Sequence, residues 1–120
     1  MADSTTDCIF CRIVRGDFGT EFVAESDGAV AFRDLHPAAP THLLVVPRRH
    51  IGALRDLTPE DGALGGELFL LAARAAAQAG LSRGGYRVLT NDGPDAGQTV
   101  FHLHLHVLGG RPLGAMVGPG

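Results

Sequence analysis

Val100-Phe101-His102-Leu103-His104-Leu105-His106-Val107-Leu108 carries histidine at every second position from 102 to 106, with leucine between. Side chains two apart on a β-strand share a face. The run therefore reads as a strand with His102, His104 and His106 on one face and Leu103, Leu105 and Val107 on the other. The aliphatic face belongs in a core. The histidine face has three readings: the solvated side of an edge strand, a histidine-rich metal site, or a reactive site. One histidine in such a place is ordinary. Three in alternation, just after Gly97-Gln98-Thr99, are not, although the spacing does not force all three onto one ion.

Working outward, Gly109-Gly110 ends the strand, and the tail from Arg111 to Gly120 has no periodicity. Upstream, Tyr86 to Thr90 reads as a strand ended by Asn91-Asp92-Gly93, and Asp95-Ala96-Gly97-Gln98 as a flexible loop. Thr58-Pro59-Glu60-Asp61 is a helix start: Thr58 caps, Pro59 suits the first helical position, and Asp61 sits where a capping box places an acid. That helix is predicted to run to Ala79 and stop at Gly80, with Leu64, Leu68, Leu71, Ala72 and Ala75 as its apolar stripe. Leu43 to Val46 is a buried strand closed by Pro47, and Asp34 to His42 a loop with two prolines. Thr20 to Glu25 and Ala29 to Arg33 are strands around a Ser26-Asp27-Gly28 turn, and Ile9 to Arg15 is a short helix stopped by Gly16. The order predicts an α+β domain with an antiparallel sheet.

The chain of 120 residues reads as one domain, without repeat or linker. Its 45% hydrophobic and 19% charged residues are globular proportions. A net charge of −3 argues against a general nucleic-acid binder. All ten basic residues are arginine, a compositional bias more than a functional signal. No apolar run approaches the ~20 residues that span a bilayer, and residues 1–7 are polar, without a signal-peptide pattern. A cytoplasmic protein with no membrane partner and a disordered 1–7 segment is expected. The two cysteines, Cys8 and Cys11, form C-x-x-C, which alone could be half a zinc site, a redox pair or two small core residues.

His102-Leu103-His104-Leu105-His106-Val107-Leu108 resembles the histidine triad (HIT) signature. The likeness extends over nearly the whole chain, through Asp34 to Ile51 and through Asn91-Asp92-Gly93 and Gly97 to Phe101. With Leu108-Gly109-Gly110-Arg111 following, it is closest to the histidine triad nucleotide-binding (Hint) branch. The resemblance implies a five-stranded antiparallel sheet with one long and one short N-terminal helix. It also implies a homodimer with a ten-stranded sheet, its contact made by Thr58 to Ala79 and Tyr86 to Asn91 and eased by Gly62, Gly65, Gly66 and Ala72. The implied activity is hydrolysis of purine nucleoside 5′-phosphoramidates or aminoacyl-adenylates, through a nucleotidyl-histidine on His104. The carbonyl of His102 would orient His104, and His42 would support the triad. His106, Asn91, Gln98 and Thr99 would contact phosphate oxygens or the leaving group. Asp34 would take the ribose hydroxyls, with Leu35 and Gly97 also lining the AMP or GMP site.

Some HIT proteins hold a structural zinc, and their four ligand positions are filled here by Cys8, Cys11, His50 and His102. No organic cofactor is implied. Relatives often have serine where Thr99 stands, and some carry a tryptophan that the tail lacks, which bears on leaving-group choice. The competing readings are a dinucleoside polyphosphate hydrolase or phosphorylase, a nucleotide-binding interaction protein with incidental catalysis, and a small zinc or redox protein.

Overall fold

The computed structural model describes residues 8–116. The expected disorder of residues 1–7 lies outside them, as do the last four residues of the 111–120 tail. The elements are α1 (Ile9–Arg15), β1 (Ala24–Glu25), β2 (Ala29–Arg33), β3 (Thr41–Pro47), α2 (Gly62–Gln78), β4 (Tyr86–Leu89) and β5 (Leu105–Gly109). The strands form one antiparallel sheet in the order β1-β2-β3-β5-β4, as the fold class required. No described helix is long and apolar enough to cross a membrane.

Both faces of the sheet are covered, and the alternation along each strand sorts the two cores. Ala29, Ala31, Leu43, Val45, Leu103, Leu105 and Val107 pack with Leu68, Leu71, Ala72, Ala75 and Ala76 of α2. Val30, Phe32, Leu44 and Val46 point the other way and pack with Phe10 of α1. The imidazoles of His102 and His104 lie on that second side, against the Phe10 ring. The leucines of the histidine run thus face the long helix, and its histidines face the short one.

Several boundaries differ from the sequence reading, four of them by two residues or more. The histidine strand does not run from residue 100; its ladder begins at Leu105. The β3/β5 register would next engage Pro47, which has no N–H to give, and whose carbonyl lies 2.9 Å from His102 Nε2. The strand is also interior, between β3 and β4, so its histidines are not the wet side of an edge. At the true edge, Thr20 to Glu25 shrinks to Ala24–Glu25 plus one bond from the Val23 N–H to the Ala31 carbonyl at 2.8 Å. Gly19, at φ +65°, bends the chain just upstream.

The third difference is at the predicted loop from Asp34 to His42, which gives its last two residues to β3. The fourth is at the start of the long helix, where a 3-10 turn over Pro59–Asp61 precedes α2. Thr58 N–H donates to the Asp61 carboxylate at 2.9 Å, so the predicted capping residues do meet. Gly16, at φ +87°, ends α1 as expected. Ala72 is 1% exposed in the core under α2. It therefore does not belong to an outward contact face, whereas a Cβ on Gly62, Gly65 or Gly66 would meet nothing within 4 Å.

Candidate active site and metal cluster

The protons of the triad can be placed by asking what each ring nitrogen faces. His104 Nδ1 lies 2.7 Å from the carbonyl oxygen of His102, which can only accept. Nδ1 therefore carries the hydrogen, and Nε2 presents a lone pair. His42 Nδ1 accepts the Ala38 N–H at 3.0 Å, so the hydrogen of a neutral His42 sits on Nε2. That Nε2 is 2.9 Å from His106 Nδ1 and 3.5 Å from Asp34 Oδ2. His106 Nδ1 must then accept, which leaves the hydrogen of His106 on Nε2. This is the buried side-chain atom with no partner among the described residues. An orphaned buried donor is costly unless a ligand oxygen takes it.

Neutral rings are what this network needs, and the surroundings enforce them. Burial pushes His104 below its ordinary value, against the pull of the His102 carbonyl. Burial, and then the neighbouring His104 and His42, push His106 from 6.5 down to about 4. Burial lowers His42 as well, opposed by Asp34. Between pH 6.5 and about 4 the unfolded chain binds a proton at residue 106 that the folded chain refuses. The stability His106 contributes is thus whole above pH 6.5 and lost as the pH falls toward 4. The Tm is expected to fall across that window, and His106→Gln to flatten the slope. An unchanged pH profile in that variant would show that the ring is not held neutral.

Phe10 closes the site from α1. Its ring meets His104 edge-on at 5.0 Å between centroids and His102 at 5.9 Å. Around the triad, Asp34 is half-buried, and its Oδ1 accepts the His36 N–H at 2.8 Å. Leu35 beside it is 88% exposed. Asn91 is half-buried; the β4/β5 register, carried two places past its last pair, sets it opposite His104. Gly97 and Thr99 are exposed on the loop before the triad.

Gln98 requires a correction. Its Oε1 accepts the Gly93 N–H at 2.8 Å, and its Nε2 donates to the carbonyls of Gly52 and Val100 at 3.0 and 3.1 Å. Both amide hydrogens are spent, so the side chain has none for a phosphate. It ties down a loop expected to be flexible, which instead forms a 3-10 turn at Pro94–Ala96 with Gly97 at φ +84°.

The four sulfur and imidazole groups also converge. One ligand atom from each of Cys8, Cys11, His50 and His102 lies within 4.8 Å of the others. His102 Nδ1 is 3.3 Å from Cys8 Sγ and 3.5 Å from Cys11 Sγ, and His50 Nδ1 is 3.3 Å from Cys11 Sγ. Bonds of about 2.3 Å to sulfur and 2.0–2.1 Å to nitrogen make tetrahedral edges of about 3.5 Å, so the set is close to closed already. The tautomer agrees, because the Pro47 carbonyl holds the hydrogen of His102 on Nε2 and leaves the Nδ1 lone pair toward the thiols. This cluster can bind a metal. Asp34, His42 and His106 also lie together, but the Ala38 N–H keeps His42 Nε2 protonated and so unable to ligate.

Sequence reasoning named the four residues that cluster and the triad. It missed Phe10 as a wall of the site, and the Pro47 carbonyl and Ala38 N–H that set the tautomers. Main-chain groups leave no mark in a sequence, whereas an apolar residue inside C-x-x-C could have been read as facing whatever the cysteines face.

A sheet that buries a run of alternating imidazoles, one with a lone pair free and another with an N–H free, defines a histidine-centred active-site fold. The chain belongs to the HIT domain family, whose pattern matches residues 15–113. It is 49% identical over 107 residues to an uncharacterized HIT-like protein of Synechococcus elongatus, covering 89% of this chain and 93% of that protein. It is 40% identical over 117 residues to the purine nucleoside phosphoramidase of Escherichia coli K12, covering 98% and 96%. Among solved structures, a HIT family hydrolase from Legionella pneumophila superposes with a TM-score of 0.87 at 40% identity, covering 92% of this chain and 99% of that one.

Proposed function

We propose that this protein is a hydrolase of purine nucleoside 5′-phosphoramidates or aminoacyl-adenylates, acting through a nucleotidyl-histidine on His104. The observation that carries the reading is the pairing of tautomers: a lone pair on His104 Nε2 and an unpartnered N–H on His106 Nε2. A nucleophile and a hydrogen-bond donor stand side by side, their ring centroids 4.9 Å apart. The E. coli relative named as a purine nucleoside phosphoramidase supports the substrate class.

In the first step His104 Nε2 forms a bond to the α-phosphorus, and the bond from phosphorus to the amine or acyl leaving group breaks. The electron pair leaves with that group; a carboxylate departs as the anion, an amine takes its proton from solvent water, and the His106 Nε2–H hydrogen-bonds the departing atom or a phosphate oxygen without being transferred. In the second, water attacks phosphorus, the N–P bond breaks, and the nucleoside monophosphate departs. Asp34 takes the ribose hydroxyls, with Leu35 beside the base. Asn91, the Thr99 hydroxyl and the main chain at Gly97 face the phosphate side. The cluster of Cys8, Cys11, His50 and His102 holds a structural zinc, whose charge would offset two thiolates and tie α1 to the triad strand.

We infer a cytoplasmic homodimer of single-domain chains, joined through α2 and the β4 edge. β4 ends the sheet with one side unpaired, and Phe69 and Leu70 of α2 are 62% and 75% exposed. Sedimentation at micromolar concentration is expected to give a dimer. Steady-state hydrolysis tests the activity: adenosine 5′-monophosphoramidate is expected to have the higher kcat/KM against diadenosine tetraphosphate. The reverse order would move the protein to the dinucleoside polyphosphate reading.

A further inference from the structure

His104 stands outside the ladders that fix β5. Pairing with β3 stops at Val45↔Leu105, and pairing with β4 stops at Leu89↔His106. The bond from His104 Nδ1 to the His102 carbonyl orients the ring. It comes from the same segment two residues away, so it cannot fix that segment against the sheet. On the β3 side the segment is held by the Leu103 N–H on the Ile51 carbonyl at 2.6 Å and by His102 Nε2 on the Pro47 carbonyl at 2.9 Å; on the β4 side, at His104 itself, one side chain holds it. The Thr90 hydroxyl, on the first residue past β4, donates to the main-chain carbonyl of His104 at 2.7 Å. That is the preferred length for an O–H···O bond, and a threonine hydroxyl has one hydrogen to give. The donor is stiff, since branching at Cβ restricts χ1.

We propose that Thr90 is a positioning residue for the nucleotidyl transfer, its hydroxyl replacing the missing ladder bond and holding the His104 imidazole in line with the phosphorus. The inference rests on the reading of His104 as nucleophile. Reaction in an active site is steep in alignment, with a misplacement of about 1 Å costing on the order of 100-fold. Thr90 supplies no group to the substrate, so its loss should act on kcat and spare the ground-state contacts.

Thr90→Val keeps the shape and deletes the donor, while Thr90→Ser keeps the donor. Thr90→Val is expected to lower kcat by roughly 10-fold or more, with KM within about twofold, and Thr90→Ser to recover most of it. The second readout is magnetic resonance of the His104 ring in ligand-free protein. Its Nδ1–H signal should shift and exchange faster in Thr90→Val and return in Thr90→Ser. Should the valine variant fail to fold, Thr90→Ala against Thr90→Ser carries the same comparison. Parent-like kcat without the hydroxyl, or a loss that serine does not restore, overturns the proposal. So does an unmoved ring signal. Failure of the nucleophile reading looks different: no nucleotidyl adduct forms on His104 of the parent protein, whatever the ring signal does.

Discussion

His104→Ala is expected to lower kcat by on the order of 10⁵-fold or more, the scale on which removal of a covalent nucleophile acts, while AMP still binds. The two halves have separate causes. Turnover needs the Nε2 lone pair, which exists because Nδ1–H is committed to the His102 carbonyl and because burial keeps the ring neutral. No neighbour can replace it. His106 Nδ1 already faces His42 Nε2, and His102 Nδ1 faces the thiols. On the proposed reading, binding rests on other groups: Asp34 for the ribose, and Asn91, Thr99 and His106 for the phosphate. The variant loses an edge-on contact with Phe10, so its Tm should fall modestly. Single-turnover mixing with a phosphoramidate, followed by mass analysis of peptides, locates the adduct, and calorimetry measures AMP affinity. An adduct on any residue other than His104 in the native enzyme would refute the assignment.

How far the site could be read beforehand depended on whether side chains or main chain carried the information. The alternation at 102–106 was enough to put three imidazoles on one face and three aliphatic side chains on the other. The structure places Leu103, Leu105 and Val107 under α2 accordingly. The C-x-x-C pair alone left three readings open, and only the resemblance joined it to His50 and His102; Cys8 and His102 are 94 residues apart and meet only in the fold. Strand length was less legible. Pairing stops where Pro47 has no N–H to offer, and that depends on the register between two distant strands. Gln98 was misjudged because a loop glutamine resembles a ligand until its three partners, all main-chain groups, are seen. The proton positions were beyond reach for the same reason.

Protein purified without chelator or affinity tag is expected to contain one zinc per chain, and stripping it should lower Tm by roughly 10–20 °C. The size follows from linkage: free zinc at about 1,000-fold its Kd stabilises the fold by about 4 kcal/mol. At this chain length that corresponds to such a shift. Zinc would join α1 to the triad strand, and the described residues show that contact otherwise resting on Phe10 and sulfur–imidazole contacts. Because the ligating thiols must be deprotonated, affinity should fall as the pH is lowered. Cys8→Ser with Cys11→Ser should abolish the metal and reproduce the Tm of stripped protein. Activity should drop only partly, since neither sulfur faces the proposed substrate groups. His102 also keeps its bond to the Pro47 carbonyl, so the carbonyl that orients His104 stays close to its place. What is lost is the clamp on α1, and with it the fixed seat of Phe10 against the His104 ring, an indirect effect of the metal on the nucleophile. Elemental analysis beside a thermal melt decides the matter. Zinc well below one per chain, with full activity and no response of Tm to chelator, would mean that Cys8 and Cys11 are small packing residues beside Phe10.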